Sequence, residues 1–148
     1  MIGNNPAVKI ILTDDDADDR IIFQDAFQEL NIQNDLTMFS NGDELMEYLK
    51  SHTNDLPQLL FLDLNMPRKS GLQCLHEIRR DKRLKDLLVA IYSTSSSEGE
   101  IEKSFDGGAN LYIKKPSEYN KLKKIISQVI ENNSQVARRN RSKFFFNL

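Results

Sequence analysis

Cysteine occurs once in this chain, at position 74. A lone cysteine excludes an intrachain disulfide, and it agrees with a reducing compartment. No neighbouring residues mark Cys74 as an activated thiol, so it reads as a small buried hydrophobe rather than a nucleophile. No apolar run approaches the roughly 18 residues that a membrane span needs. The first residues, Met1 to Pro6, lack the basic start and apolar core of a signal peptide. These absences predict a cytoplasmic protein with no membrane partner. Charge of one sign is scarce too. The 20 Lys and Arg set against 22 Asp and Glu leave a net charge of −2. That balance gives no reason to expect a nucleic-acid footprint over the domain as a whole, and no DNA partner is expected. There is no internal repeat and no low-complexity stretch long enough to be a linker. What remains, in 148 residues, is one domain with a single core.

What is present is a regular alternation. Val8 to Leu12 is a short apolar, β-branched run and reads as a buried strand, followed by Asp14-Asp15-Asp16. Asp18 to Leu30 has Ile22, Phe23, Ala26, Phe27 and Leu30 at helical spacing, with Asp18 and Asp19 suited to the positive helix start. Leu36 to Phe39 is a second strand, Ser40-Asn41-Gly42 a turn, and Asp43 to Lys50 a helix with Leu45, Met46 and Leu49 inward. Pro57 opens a third strand over 58–62, and Gly71 to Asp81 forms a helix carrying Leu72, Leu75 and Ile78. After the charged connection Lys82 to Asp86 comes a fourth strand, Leu88 to Tyr92. Ser97 and Glu100 have capping-box spacing for the next helix, which holds Ile101 and Phe105 and stops at Gly107-Gly108. Ala109 to Ile113 is a fifth strand. Ser117 is placed to cap a last helix with Leu122, Ile125, Ile126, Val129 and Ile130 inward. Five βα units predict an α/β fold, a doubly wound five-stranded parallel sheet with helices on both faces.

The residues beyond this pattern differ in kind. The domain is expected over 1–133, with 134–148 as a basic and aromatic tail containing Arg138, Arg139, Arg141, Lys143 and Phe144-Phe145-Phe146. It reads either as a terminal segment that folds back on the domain or as a contact element, for a homodimer or another partner, with nucleic acid or an anionic membrane as further alternatives for basic residues beside aromatics.

In an open parallel sheet the carboxyl ends of all strands lie on one edge, where ligands bind. Here those ends supply Asp14 and Asp15, Asp63, Ser93 and Thr94, and Lys114 and Lys115. Crowded carboxylates favour a hard cation, and Mg²⁺ prefers oxygen ligands. A carboxylate is also a nucleophile toward phosphorus. A phosphoryl group then needs positive charge and a hydroxyl donor on its outer oxygens, which a cation, a Lys and a Ser provide. An Asp after a strand is also a common helix cap, so Asp63 taken alone leaves both readings open.

With those motifs in view, the sequence resembles the receiver domains of two-component response regulators. The resemblance rests on Asp14-Asp15, the block Asp63-Leu64-Asn65-Met66-Pro67-Arg68-Lys69-Ser70-Gly71, Ser93, Gly108-Ala109-Asn110, Tyr112 and Lys115-Pro116, and covers residues 8 to about 131. The acid run, the Asn65 to Arg68 stretch and the serines after strand four resemble stand-alone, chemotaxis-type receivers, some of which serve phytochrome-like kinases. The resemblance implies the flavodoxin-like strand order 2-1-3-4-5 with five helices. It implies phosphorylation of Asp63 by a histidine kinase or phosphotransfer protein. Asp14, Asp15, Asp63 and the backbone carbonyl of Asn65 would hold Mg²⁺, Asp14 mainly through a water. Ser93 and Lys115 would bind phosphoryl oxygens, and Tyr112 would change rotamer with Ser93. Asn65, Thr94 and Ser95 stand at positions that tune the phospho-state, and the Lys115–Pro116 bond would be cis. A changed surface over the fourth helix, fifth strand and fifth helix would then be read by a downstream protein.

Asp16 is expected to be a local turn or cap residue rather than a ligand, Lys114 a surface charge, and His52 and His76 surface or partly buried residues away from the strand ends. The output is expected to be binding rather than catalysis on another molecule, since no output domain follows the last helix. Three rival readings remain. A haloacid-dehalogenase-type phosphatase wants an Asp where Asn65 stands. A flavodoxin-like electron carrier wants a glycine- and hydroxyl-rich phosphate loop where the three carboxylates stand. A receiver-fold scaffold would keep the fold without phosphoryl turnover.

Overall fold

The β-branched and aliphatic runs pair into a parallel sheet, and the two-residue side-chain period of its strands divides the core into two layers. The structure, a computed structural model, describes residues 8–31, 35–52 and 54–146. Met1 to Pro6 and the last two residues of the tail lie outside the described residues. In chain order the elements are β1 (Lys9–Thr13), α1 (Ala17–Glu29), β2 (Asp35–Phe39), α2 (Gly42–Ser51), β3 (Leu59–Leu62), α3 (Gly71–Arg80), β4 (Leu88–Ser93), α4 (Glu98–Asp106), β5 (Leu111–Lys114), α5 (Tyr119–Glu131), α6 (Asn133–Val136) and β6 (Phe145–Phe146). Short 3₁₀ turns cover Lys82–Leu84 and Arg141–Lys143. The sheet order is β2-β1-β3-β4-β5-β6, all parallel.

On one face Ile11, Leu60, Leu62, Val89, Ile91 and Tyr112 meet the inward stripes of α2 and α3, including Leu45, Leu49, Leu75 and Ile78. Cys74 is fully buried in that layer, and burial pushes its thiol up to about 11. On the opposite face Ile10, Leu12, Leu59, Phe61, Tyr92 and Ile113 meet Phe23, Ala26 and Phe27 of α1 and Leu122, Ile126 and Val129 of α5. Phe23 is wedged edge-on between Phe61 and Tyr92, with ring centroids 5.0 and 5.7 Å away.

The helix starts are set by side-chain caps. Asp16 accepts hydrogen bonds from the N–H groups of Asp18 and Asp19 at 2.9 and 3.2 Å, as its sequence position suggests. Asn41 caps α2 through Glu44 N–H at 2.8 Å. The full capping box belongs to Ser70 and Gln73 at α3. At α4 the reciprocal bond expected of Glu100 is replaced. Ser97 accepts from Glu100 N–H at 3.3 Å, while Glu100 Oε1 accepts from the Ser95 hydroxyl at 2.9 Å. Glu118 precedes α5 without a side-chain capping bond, so Ser117 is not the cap.

Three further expectations are corrected. Ile22 is 45% exposed, because the buried stripe of α1 runs through Phe23, Ala26 and Phe27, and Ile22 falls about 100° off that line. Every peptide bond among the described residues is trans, Lys115–Pro116 included. Trans remains the preferred isomer before proline by about 0.5–1 kcal/mol, and Lys115 N–H reaches Ser93 O at 2.7 Å in this arrangement. The five expected strands become six. The tail returns along α6 and the second 3₁₀ turn and lays Phe145 and Phe146 beside Tyr112 and Ile113. Phe144 is 1% exposed and packs edge-on to Phe105 at 5.1 Å. Arg139 donates to Ala109 O at 2.8 Å and stacks over the Phe105 ring at 4.1 Å.

Candidate functional site

The register brings the strand ends level. Thr13 pairs with Leu62, Leu62 with Ile91, and Ser93 with Lys114. Ladder bonds continue one residue further: Asp14 N–H donates to Phe39 O at 3.1 Å, Asp63 N–H to Thr13 O at 3.0 Å and Lys115 N–H to Ser93 O at 2.7 Å. The backbone therefore holds Asp14, Asp63, Ser93 and Lys115 on one edge. The turn after Asp63 closes tightly, with Gly71 N–H donating to Leu64 O at 3.0 Å. A Cβ at Gly71 would overlap the Asp63 carbonyl oxygen and lie 2.8 Å from Leu64 Cα, so this approach of α3 to the β3 end requires glycine.

Carboxylate oxygens of Asp14, Asp15 and Asp63 all lie within 4.8 Å of one another. Asp14 is fully buried, Asp63 is 4% exposed, and Asp15 faces solvent. Asp14 Oδ1 accepts from Asp16 N–H at 3.0 Å, and Asp63 Oδ1 accepts from Asn65 N–H at 3.2 Å. Asp14 Oδ2 is buried with no hydrogen bond of good geometry and meets the Lys115 ammonium at 2.8 Å as an ion pair. The same ammonium lies 2.9 Å from Asp19 Oδ2 and 3.7 Å from Asp63 Oδ2.

Burial raises the Asp63 pKa well above the ordinary carboxylate range. Lys115 opposes that rise and the neighbouring Asp14 adds to it. At Lys115 burial works against the ammonium. The hydrogen bonds to Asp14 and Asp19 and the charge of Asp63 outweigh it, and its pKa stands above the usual lysine value.

The donor set tests well for a hard divalent cation. Its side-chain donors are three carboxylates, one of them with a buried oxygen short of a donor, and Asp15 opens the trio to solvent. A single ammonium leaves that cluster negative.

The other sequence-selected residues fall as follows. Ser93 is fully buried and its hydroxyl accepts from Ser95 N–H at 3.2 Å; among the described residues no hydrogen bond joins it to Asp63. Thr94 and Asn65 are exposed, and Ser95 is half-buried. Tyr112 is fully buried, and its hydroxyl donates to Ser95 O at 2.8 Å. Lys114 points to solvent, as do His52 and His76.

Two residues escaped the sequence reading. Asp19 reads from the sequence only as a helix-start residue, and its partner Lys115 is 96 residues away, beyond any local signal. Arg79 explains the Gly108-Ala109-Asn110 stretch. It donates to Gly108 O and Asn110 Oδ1, both at 2.9 Å, and Asn110 Oδ1 also accepts from Val89 N–H. That stretch is a brace between α3, β4 and the start of β5.

Residues 10–127 match the response regulator receiver domain. The chain belongs to the response regulator receiver family. It is 28% identical over 131 residues to response regulator Rcp1 of Synechocystis sp., covering 86% of this chain and 88% of the relative. It is 27% identical over 126 residues to chemotaxis protein CheY1 of Helicobacter pylori, covering 85% and 99%. Among solved structures it resembles the phosphorylated cyanobacterial phytochrome response regulator RcpA, with TM-score 0.77 at 33% identity over 84% of this chain and 92% of that one. The Mn²⁺-bound form of Rcp1 superposes with TM-score 0.74 at 27% identity over 84% and 93%. The receiver is thus a response regulator of two-component signalling, on a flavodoxin-like sheet whose 2-1-3-4-5 order carries one further strand. No helix among the described residues is long and apolar enough to cross a membrane.

Proposed function

We propose that this receiver accepts a phosphoryl group on Asp63 from a histidine kinase or phosphotransfer protein and thereby switches a protein-binding surface. The observation that carries the reading is the placement of a buried Asp63 at the β3 end, within 4.8 Å of the Asp14 and Asp15 oxygens and 3.7 Å from the Lys115 ammonium. The ionised Asp63 oxygen attacks phosphorus, the bond from phosphorus to the donor's imidazole nitrogen breaks, and its electron pair leaves with the imidazole. Asp14, Asp15, Asp63 and the Asn65 carbonyl would hold Mg²⁺. When bound it supplies charge neutralisation to the phosphoryl oxygens. Lys115 and the Ser93 hydroxyl bind phosphoryl oxygens on the protein side. That the similar regulator Rcp1 has an Mn²⁺-bound form supports the reading of a divalent cation as a ligand of this receiver.

Movement of the β4 end toward a phosphoryl group would be felt at once by Tyr112, whose hydroxyl is tied to Ser95 O. The receiver would span 1–133, with 134–148 as a basic and aromatic tail. Its chemistry would be confined to its own Asp63.

Intact mass after incubation with acetyl phosphate tests the reading. A gain of one phosphoryl group, dependent on Mg²⁺ and absent in Asp63→Asn, is expected. A folded, Mg²⁺-binding protein that gains no phosphoryl group would favour the scaffold reading instead.

A further inference from the structure

Lys115 does not rest on the proposed acceptor. Its ammonium is shared between Asp14 at 2.8 Å and Asp19 at 2.9 Å, and stands 3.7 Å from Asp63. Asp14 belongs to the carboxylate trio. Asp19 does not, and it reaches the lysine from the first turn of α1. That turn is fixed, because Asp19 N–H donates to the capping Asp16 carboxylate at 3.2 Å. The neighbouring Arg20 is engaged elsewhere, on Asp14 O at 2.7 Å. Among the described residues Lys115 is the one hydrogen-bonding or ion-pairing partner of the Asp19 carboxylate.

We propose that Asp19 is a positioning residue that holds Lys115 on the α1 side of the crevice and competes for it with a phosphoryl group on Asp63. The proposal rests on the reading of Asp63 as acceptor. A phosphoryl group brings further negative charge and strong acceptor oxygens to Asp63. To engage them Lys115 must leave Asp19, and the strength of that pair is subtracted from what the lysine gains. The Asp19 side chain is 33% exposed, so solvent screens the pair and the penalty is modest. Asp19 thus sets how readily the resting site takes up an oxyanion, without touching that oxyanion itself.

The test is calorimetric titration of the full chain with beryllofluoride in saturating Mg²⁺, with fluorine NMR of the bound species. Beryllofluoride serves as a non-covalent stand-in for the phosphoryl group. Asp19→Asn and Asp19→Ser are both measured, so that a folding defect in one does not end the experiment. Each should bind beryllofluoride about three- to ten-fold more tightly than wild type, the size expected when one member of a contacting charged network is removed. Asp18→Asn deletes the same charge from the same turn at an exposed side chain, and should change affinity by less than about two-fold. In a Lys115→Met background the gain from Asp19→Asn should vanish.

Unchanged or weaker affinity in both Asp19 variants overturns the proposal. So does an equal gain in Asp18→Asn, or a gain that persists without Lys115. Wild-type protein that shows no Mg²⁺-dependent binding would instead overturn the acceptor reading, and the inference with it.

Discussion

The ring of Phe144 meets the ring of Tyr112 edge-on, with centroids 6.4 Å apart, and Tyr112 N–H donates to Phe144 O at 2.9 Å. A residue from the last turn of the chain is therefore packed on the tyrosine whose hydroxyl is bonded to the loop after β4. Phe144 is 1% exposed and sits among Phe105, Tyr112 and the β5 backbone. Phe144→Ala should lower the unfolding free energy by about 3 kcal/mol, through lost burial and an unfilled cavity. Urea denaturation measures this. A loss under about 1 kcal/mol would mean that the tail contributes little to the packed state.

The burial of Asp63 makes a signed prediction about pH. Its folded pKa is raised above its ordinary value of 3.8, so the metal-free folded state retains a proton that the unfolded chain releases. The stabilisation is complete below that ordinary value and is lost as pH rises through the folded pKa. The difference in stability between wild type and Asp63→Asn should therefore shift in favour of the variant as pH rises from 4 toward neutrality. Mg²⁺ should restore the wild type by binding the ionised carboxylates, and chelation should reverse that gain. Thermal melts across pH, with and without Mg²⁺, decide the matter; a difference that stays flat would rule out the raised pKa.

Gly71 carries the sharpest steric demand in the site. Because an added Cβ would overlap the Asp63 carbonyl, Gly71→Ala should cost about 1–3 kcal/mol. It should also slow labelling by acetyl phosphate, since relief moves the backbone that aims Asp63. Labelling at the wild-type rate with full stability would show that the turn yields freely.

Asn65 and Ser95 lie within two residues of Asp63 and Ser93, and each donates its backbone N–H to that residue's side-chain oxygen, at 3.2 Å in both cases. Replacing either side chain should change the lifetime of the phosphorylated form without preventing its formation. Decay followed by intact mass after removal of the phosphodonor gives the rate, and identical rates in both variants and wild type would reject the assignment.

Much of the site was legible because strand ends are local signals. An apolar run that stops at Asp14, Asp63, Ser93 or Lys115 needs no long-range information to be read, and parallel topology alone puts those ends on one edge. The Asp16 cap was legible for the same reason, since its partners are two and three residues away. What the sequence determined by itself was therefore the order of elements, the two-layer core and the edge on which the chemistry gathers. The tertiary structure decided which charges pair, because Asp19 and Lys115 are separated by 96 residues and meet only after α1 and β5 have docked. It also decided the fate of the tail. Phe145-Phe146 is too short to declare a strand, and becomes one only where β5 offers it unpaired backbone groups and a place for Phe144 between α4 and Tyr112.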